Sequence, residues 1–183
     1  VLIDEVMGND GNPWGISYRQ GLFNMTSDSN LFFDEPAADR LPLYEAKLIH
    51  HYDHRWATYD GERSSRDVTL EEKQDPAFRV TPRYWVERKE VEGRLKSQDW
   101  DRKWLMGWRR NCRSNDERTC IASVTSIAGI GDSIFTLLPF NLPIMGSPAF
   151  VIGNLASLVF DFVARQKVGG VNFSFYYMSQ LPL

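Results

Sequence analysis

Apolar positions fall in short bursts along this chain, and few bursts are long enough for a helix. Arg118–Ala128 (RTCIASVTSIA) is rich in β-branched residues and reads as a strand. Lys103–Asn111 (KWLMGWRRN) alternates well enough for another, and Ile134–Leu138 is a short apolar strand after the turn GIGDS. Ile16–Phe33 mixes aromatics with small polar residues and predicts one or two short strands. Leu41–Asp53 (LPLYEAKLIHHYD) has the apolar content of core, as a strand or short helix. Two segments have helical character. Glu87–Trp100 is polar, whereas Ala149–Lys167 is apolar and long, with Gly169 or Gly170 available to end it in a left-handed conformation. Val171–Tyr177 alternates and predicts a closing strand. Residues 1–15 and 34–40 are loops, and the charged stretch 60–76 is a surface excursion. Scattered strands with few helices predict an α+β fold: a mixed, mostly antiparallel sheet with a long C-terminal helix packed on it.

Composition narrows the class. A chain of 183 residues with 43% hydrophobic residues can bury one domain core. It opens on Val1 and stops at Leu-Pro-Leu, which reads as a piece of a longer polypeptide. Its most apolar segment, Ala149–Val163, is shorter than the roughly 20 residues a membrane-spanning helix needs. That segment also carries Asn154 and Asp161, so a buried helix and no membrane association are expected. Two cysteines, Cys112 and Cys120, make no disulfide framework and predict thiols in a cytoplasmic setting.

Charge is unevenly spread. Residues 1–78 hold 7 Lys and Arg against 15 Asp and Glu, whereas residues 79–118 hold 12 against 7. The net charge of −3 hides this basic block. Such a block makes either a solvated face or an electrostatic footprint for a polyanion.

Four chemistries are candidates. Glu-x-Lys occurs at Glu45–Lys47 and at Glu87–Lys89, with Asp34, Asp39, Asp67 or Asp75 upstream, a short pattern used by metal-dependent nucleases. His50, His51 and His54 are the only histidines, but no Glu follows His50 as a zinc-protease helix requires. Asn12-Pro13-Trp14 approximates the Asn-Pro-Pro-aromatic centre of amino-methyltransferases but lacks one proline, and no glycine-rich cofactor loop accompanies it. The remaining feature is the interleaving of Arg and Lys with Trp and Tyr in RYWVERK, KWLMGWRRNCRSNDERT and ARQKVGG. Arginine forks suit phosphates and guanine edges, and glycine amides can approach a phosphate closely.

The order of motifs adds to this. NPWGISYRQGLFNMTSDSNLF, LPLYEAKLIHHYDHRWATYDG, DPAFRVTPRYWVERKEVEGRL, WLMGWRRNCRSNDERTCIASVTSIAGIGDS and NLASLVFDFVARQKVGGVNFSFYYMSQLP follow one another over nearly the whole chain. Together they resemble the C-terminal target recognition region of large bacterial N6-adenine DNA methyltransferases. These occur in restriction-modification and phage-defence systems such as DISARM and BREX. The last block also resembles the end of target recognition domains in TaqI-like methylases and Type I specificity subunits. The resemblance implies a single target recognition domain over residues 1–183 that binds double-stranded DNA and carries no catalysis. It implies S-adenosylmethionine only in a catalytic methyltransferase domain upstream in the same chain, with other restriction or defence subunits as possible partners. The competing expectations are a metal-dependent nuclease domain of a restriction enzyme and a protein-interaction domain of a defence complex.

By residue type, the candidates for phosphate contact are Arg109, Arg110, Arg113, Arg165 and Lys167, with the amides of Gly169 and Gly170. The candidates for base or groove contact are Lys47, His50, His54, Arg55, Ser114, Asn115 and Arg118. Asp116 and Glu117 are positioned to engage Arg118 internally instead. No residue is expected to be catalytic or to hold a metal.

Overall fold

The computed structural model describes residues 16–61, 64–112, 116–139 and 148–182. Its organising element is a four-stranded antiparallel sheet in the order β1 (Ile16–Arg19), β10 (Ile134–Pro139), β7 (Trp104–Arg109), β8 (Ala122–Ser126). A second sheet runs β2 (Phe32–Phe33), β6 (Trp85–Glu87), β3 (Arg40–Tyr44), β9 (Gly129–Ile130), with β3 and β9 parallel and the other pairs antiparallel. β4 (Ala57–Tyr59) and β5 (Ser65–Asp67) form a separate hairpin. The fold is therefore α+β with mostly antiparallel sheets.

Why the central strands read as continuous apolar runs is visible in their side-chain alternation. Along β7, Leu105 enters one core while Met106 and Trp108 enter another. Along β10, Ile134 and Leu138 point to the first core, and Phe135 and Leu137 to the second. A strand covered on both faces has no solvent-facing position for a charged residue, and the one polar residue of β10, Thr136, is buried. The first core is closed by the second sheet and by α2 (Arg88–Lys96), through Val86, Val91 and Leu95. The second is closed by α3 (Pro148–Leu155), α4 (Leu158–Lys167) and the helical turn α5 (Phe175–Met178), through Val151, Leu155, Phe160, Ala164 and Met178. Among the described residues of the stretch 60–76 most are exposed, but Val68 enters the first core, and the stretch carries β5 and the short helix α1 (Leu70–Gln74). Thr69 and Glu72 cap α1 reciprocally.

The C-terminal region departs from expectation in three ways. The long helix is two helices, bent by 59° between Leu155 and Leu158. Ser157 accepts a hydrogen bond from the Phe160 amide at 3.1 Å, which starts a new helix where the first has ended. Among the described residues no single helix is long and apolar enough to cross a membrane. Neither Gly169 nor Gly170 is left-handed; α4 ends at Val168 (φ −81, ψ 98), whose amide bonds to the Ala164 carbonyl. The closing strand is replaced by one bridge, Asn111 to Asn172, followed by α5. β7 has ended by Asn111, so the tail has no strand left to extend.

Gly107 sits inside β7 because a side chain there would fall on the Phe135 carbonyl oxygen and the Ile134 side chain. Gly107→Ala should force β7 and β10 apart and cost about 1–3 kcal/mol, as overpacking does. A fall in the urea unfolding midpoint would show it, and an unchanged midpoint would contradict the contact.

Candidate functional site: loops at one end of the central sheet

Several loops meet where β7 ends and β10 begins. The 3-10 turn Ala46–Leu48 buries Leu48 and Ile49 in the first core, which anchors the polar residues that follow. Its Ala46 amide bonds to Ser133 Oγ at 3.0 Å. The Arg110 amide bonds to the Ser133 carbonyl at 2.8 Å, and the Phe173 amide to the Arg110 carbonyl at 2.7 Å. Cys112 donates to the Val171 carbonyl at 3.1 Å. Segments 46–55, 109–112, 131–133 and 171–173, far apart in sequence, are thus stitched together by backbone bonds and by the Ser133 hydroxyl.

Within this cluster stands a tight turn, His50-His51-Tyr52-Asp53. The His50 and Asp53 amides bond to each other's carbonyls at 2.7 and 3.0 Å. Tyr52 lies at φ +58, and its amide donates to the Ala122 carbonyl of β8 at 3.3 Å. A left-handed conformation costs a residue with a β-carbon roughly 1–2 kcal/mol, so the surroundings must enforce it. They do so from several directions. Arg109 donates Nε at 2.9 Å, and Nη2 as well, to the Ile49 carbonyl. Asp53 accepts from the Arg55 amide at 2.7 Å and from Lys73 Nζ at 2.8 Å. The His50 ring lies 4.2 Å from the Trp56 ring, and Lys73 Nζ stands 4.6 Å from that same ring. The Tyr52 side chain is nonetheless 63% exposed.

The histidines are held neutral. Burial lowers the pKa of His50 and His54, and brings His51 down to about 4 with help from the nearby Arg118 charge. Both His51 ring nitrogens are shut away from solvent with no partner among the described residues. At neutral pH the half-buried His50 therefore offers an uncharged imidazole, whereas the His51 nitrogens face the interior.

The sequence-predicted residues divide sharply. Lys47 is exposed, with Nζ 4.8 Å from the Tyr59 ring centre; it, His50, Arg109 and Arg110 belong to the stitched end of the sheet. Lys167, Gly169 and Gly170 are exposed, and the glycines precede Val171 in the same cluster. His54 and Arg55 line a separate cavity with Tyr44, Arg79 and Trp85. Arg113, Ser114 and Asn115 lie outside the described residues, as does Asn12-Pro13-Trp14.

Four arginines prove to have structural partners. Arg55 donates to the Lys73 and Asp75 carbonyls and holds the end of α1. Arg109 holds the root of the turn. Arg118 donates to the Ala156 carbonyl and pairs with Asp161 at 3.6 Å. Arg165 donates to the Asp116 and Glu117 carbonyls at 2.8 and 3.0 Å and meets Asp161 at 3.4 Å. Asp161 is buried and also accepts the Thr119 and Cys120 amides at 2.8 and 2.9 Å. Backbone carbonyls and one carboxylate thus already engage the guanidinium groups for which phosphate and base roles are expected. Asp116 and Glu117 do participate, but through their carbonyls and toward Arg165.

Both Glu-x-Lys pairs are also engaged. Glu45 accepts from Tyr59 Oη at 2.9 Å, beside Lys47, and Lys89 pairs with Glu87 at 2.7 Å. Among the described residues no group of three His, Cys, Asp or Glu has the geometry to hold a metal ion. Both cysteines are free and buried, with burial raising their pKa, that of Cys112 to about 11, so they are packing residues with little thiolate. Tyr52 and Ser133 carry no sequence motif, and His51 stands out in the sequence only as one of three histidines; the one signal for Tyr52 is an aromatic in a polar turn without glycine. No protein-family model and no curated protein matches the chain.

Removing the buried carboxylate takes away the one anion that Arg118 and Arg165 share and leaves the Thr119 and Cys120 amides without their acceptor. Asp161→Ala should cost about 3 kcal/mol or more, read as a lowered unfolding midpoint; a loss under about 1 kcal/mol would mean the arginines are satisfied without it. Stability should also depend on pH. The folded chain keeps His51 neutral down to about 4, while the unfolded chain binds the proton near 6.5. Unfolding therefore takes up a proton between those values, and stability, full above 6.5, falls as pH drops toward 4. His50 and His54 act in the same direction. His51→Phe should flatten the dependence of unfolding midpoint on pH, and an unchanged slope would contradict the assignment.

Proposed function

We propose that this chain is a target recognition module that binds a specific sequence of double-stranded DNA for an N6-adenine methyltransferase. In that reading the catalytic domain and its S-adenosylmethionine belong to another part of the same polypeptide, and this module transfers nothing itself. The bacterial restriction-modification or phage-defence setting comes from the motif order alone and shares its standing as a proposal.

The observation that carries the DNA reading is the meeting of sequence-distant segments at one end of the central sheet. Lys47, Arg110 and the Gly169–Gly170 amides supply groups suited to phosphates there, with Lys167 two residues before Gly169 along the chain. The turn 50–53 supplies the uncharged His50 imidazole and the exposed Tyr52 ring and hydroxyl, which suit bases. This division matches the two tasks of a DNA reader, since phosphate contacts fix register and base-edge contacts specify sequence. The buried arginines serve the same end indirectly: Arg109 fixes the turn, and Arg118 and Arg165 fix the loop before β8 against α4.

The test is fluorescence anisotropy of the chain with labelled duplex DNA over a range of salt. The logarithm of affinity should fall linearly with the logarithm of salt concentration, by about 0.9 for each phosphate neutralised. Lys47→Ala should reduce that slope by about one, whereas Arg66→Ala, in the exposed β5, should leave it unchanged. No binding at low salt, or a slope indifferent to Lys47, would contradict the proposal.

A further inference from the structure

Two kinds of exposed aromatic occur on this molecule. Phe150, Phe162, Phe175 and Tyr176 project from helices. Tyr52 differs from all of them. Among described residues other than glycine, only it and Asp99 have positive φ. Asp tolerates that conformation through its short polar side chain, but a tyrosine does not. Glycine or asparagine would make the same turn with less strain, and burying the ring would recover the cost of its exposure. The fold does neither. It fastens the turn through the Ile49 carbonyl, the Ala122 carbonyl and the Asp53–Lys73 pair, and leaves the ring in solvent at the apex.

Resting on the DNA reading above, we propose that Tyr52 is the residue that enters the base stack of the bound duplex. The geometry suits this task in three respects. The ring is carried on a short, braced turn, so little conformational entropy is lost when it is gripped. Its immediate neighbours, His50 and His51, pack as rings on one side, 5.6 Å apart and, for His51 and Tyr52, 6.3 Å apart. They bring no charge against the apolar faces of stacked bases. Lys47 and Arg110, from the segments joined at Ser133, are cations on the same end of the sheet, where the displaced backbone would pass. A tyrosine adds a hydroxyl at its tip for a groove edge, while its ring stacks on any base.

The experiment uses two labelled duplexes of the same mixed sequence, one intact and one with a single central abasic site. Insertion must separate stacked base pairs, and a missing base removes part of that cost. The parental chain should bind the abasic duplex about tenfold more tightly than the intact one. Tyr52→Gly and Tyr52→Asn both accept the left-handed backbone, so their unfolding midpoints should equal or exceed the parental value. Both should bind the intact duplex about tenfold more weakly, and lose the preference for the abasic one. Tyr52→Phe should retain both properties. Undiminished binding by Tyr52→Gly and Tyr52→Asn, or no abasic preference in the parental chain, overturns insertion while leaving DNA binding standing. No binding of either duplex by the parental chain overturns the DNA reading itself, and insertion with it.

Discussion

The strand Trp104–Arg109 is the constraint on which the rest depends. Its two faces are both dry: Leu105 seals one core, and Met106 and Trp108 seal the other. Gly107 lets β10 lie close against it. A strand gripped on both faces has no freedom to slide, since a one-residue slip would exchange the two cores. Whatever leaves its end is therefore fixed in place. The residues that leave are Arg109, Arg110, Asn111 and Cys112; Arg109 bonds to Ile49, Arg110 to Ser133, and Arg110, Asn111 and Cys112 to the tail segment 171–173. The candidate interface is an extension of that rigidity into polar chain.

Charge is distributed by the same logic. The basic block looked like a surface feature, yet its most suggestive arginines turn inward. Asp161 gathers Arg118 and Arg165 with two backbone amides, and thereby ties the loop before β8 to α4. Such a network is costly to assemble in a half-dry setting and costlier to leave incomplete. The cations beside the candidate interface are fewer, and they work with neutral histidines and one strained tyrosine. Under the proposed function that arrangement suits reading more than indiscriminate attraction, because uncharged groups and rings discriminate bases better than they attract phosphates.

Much of the fold was legible in the sequence. The strands at 104–109, 122–126 and 134–139 announce themselves as β-branched or apolar bursts between turns, and α2 as a polar helical stretch. The break in the C-terminal helix was not, because Leu155-Ala156-Ser157-Leu158 continues a helical apolar pattern and only the Ser157 hydroxyl marks a new start. The tail alternated like a strand, but alternation cannot say whether a partner edge exists. At the candidate site the residue types were legible and their commitments were not. That Arg55 reaches the Lys73 carbonyl, or Arg118 the Ala156 carbonyl, follows from tertiary neighbours with no sequence signature. Tyr52 was hidden because positive φ is anticipated at glycine or asparagine, and the turn contains neither.

In the proposed function, one end of the central sheet faces duplex DNA. Amide hydrogen exchange of the chain, with and without saturating duplex, measures this most directly. Slowed exchange should concentrate at residues 46–54, 109–112 and 169–173 and leave the β4–β5 hairpin unaffected. Exchange unchanged in those segments, or slowed only elsewhere, would contradict it.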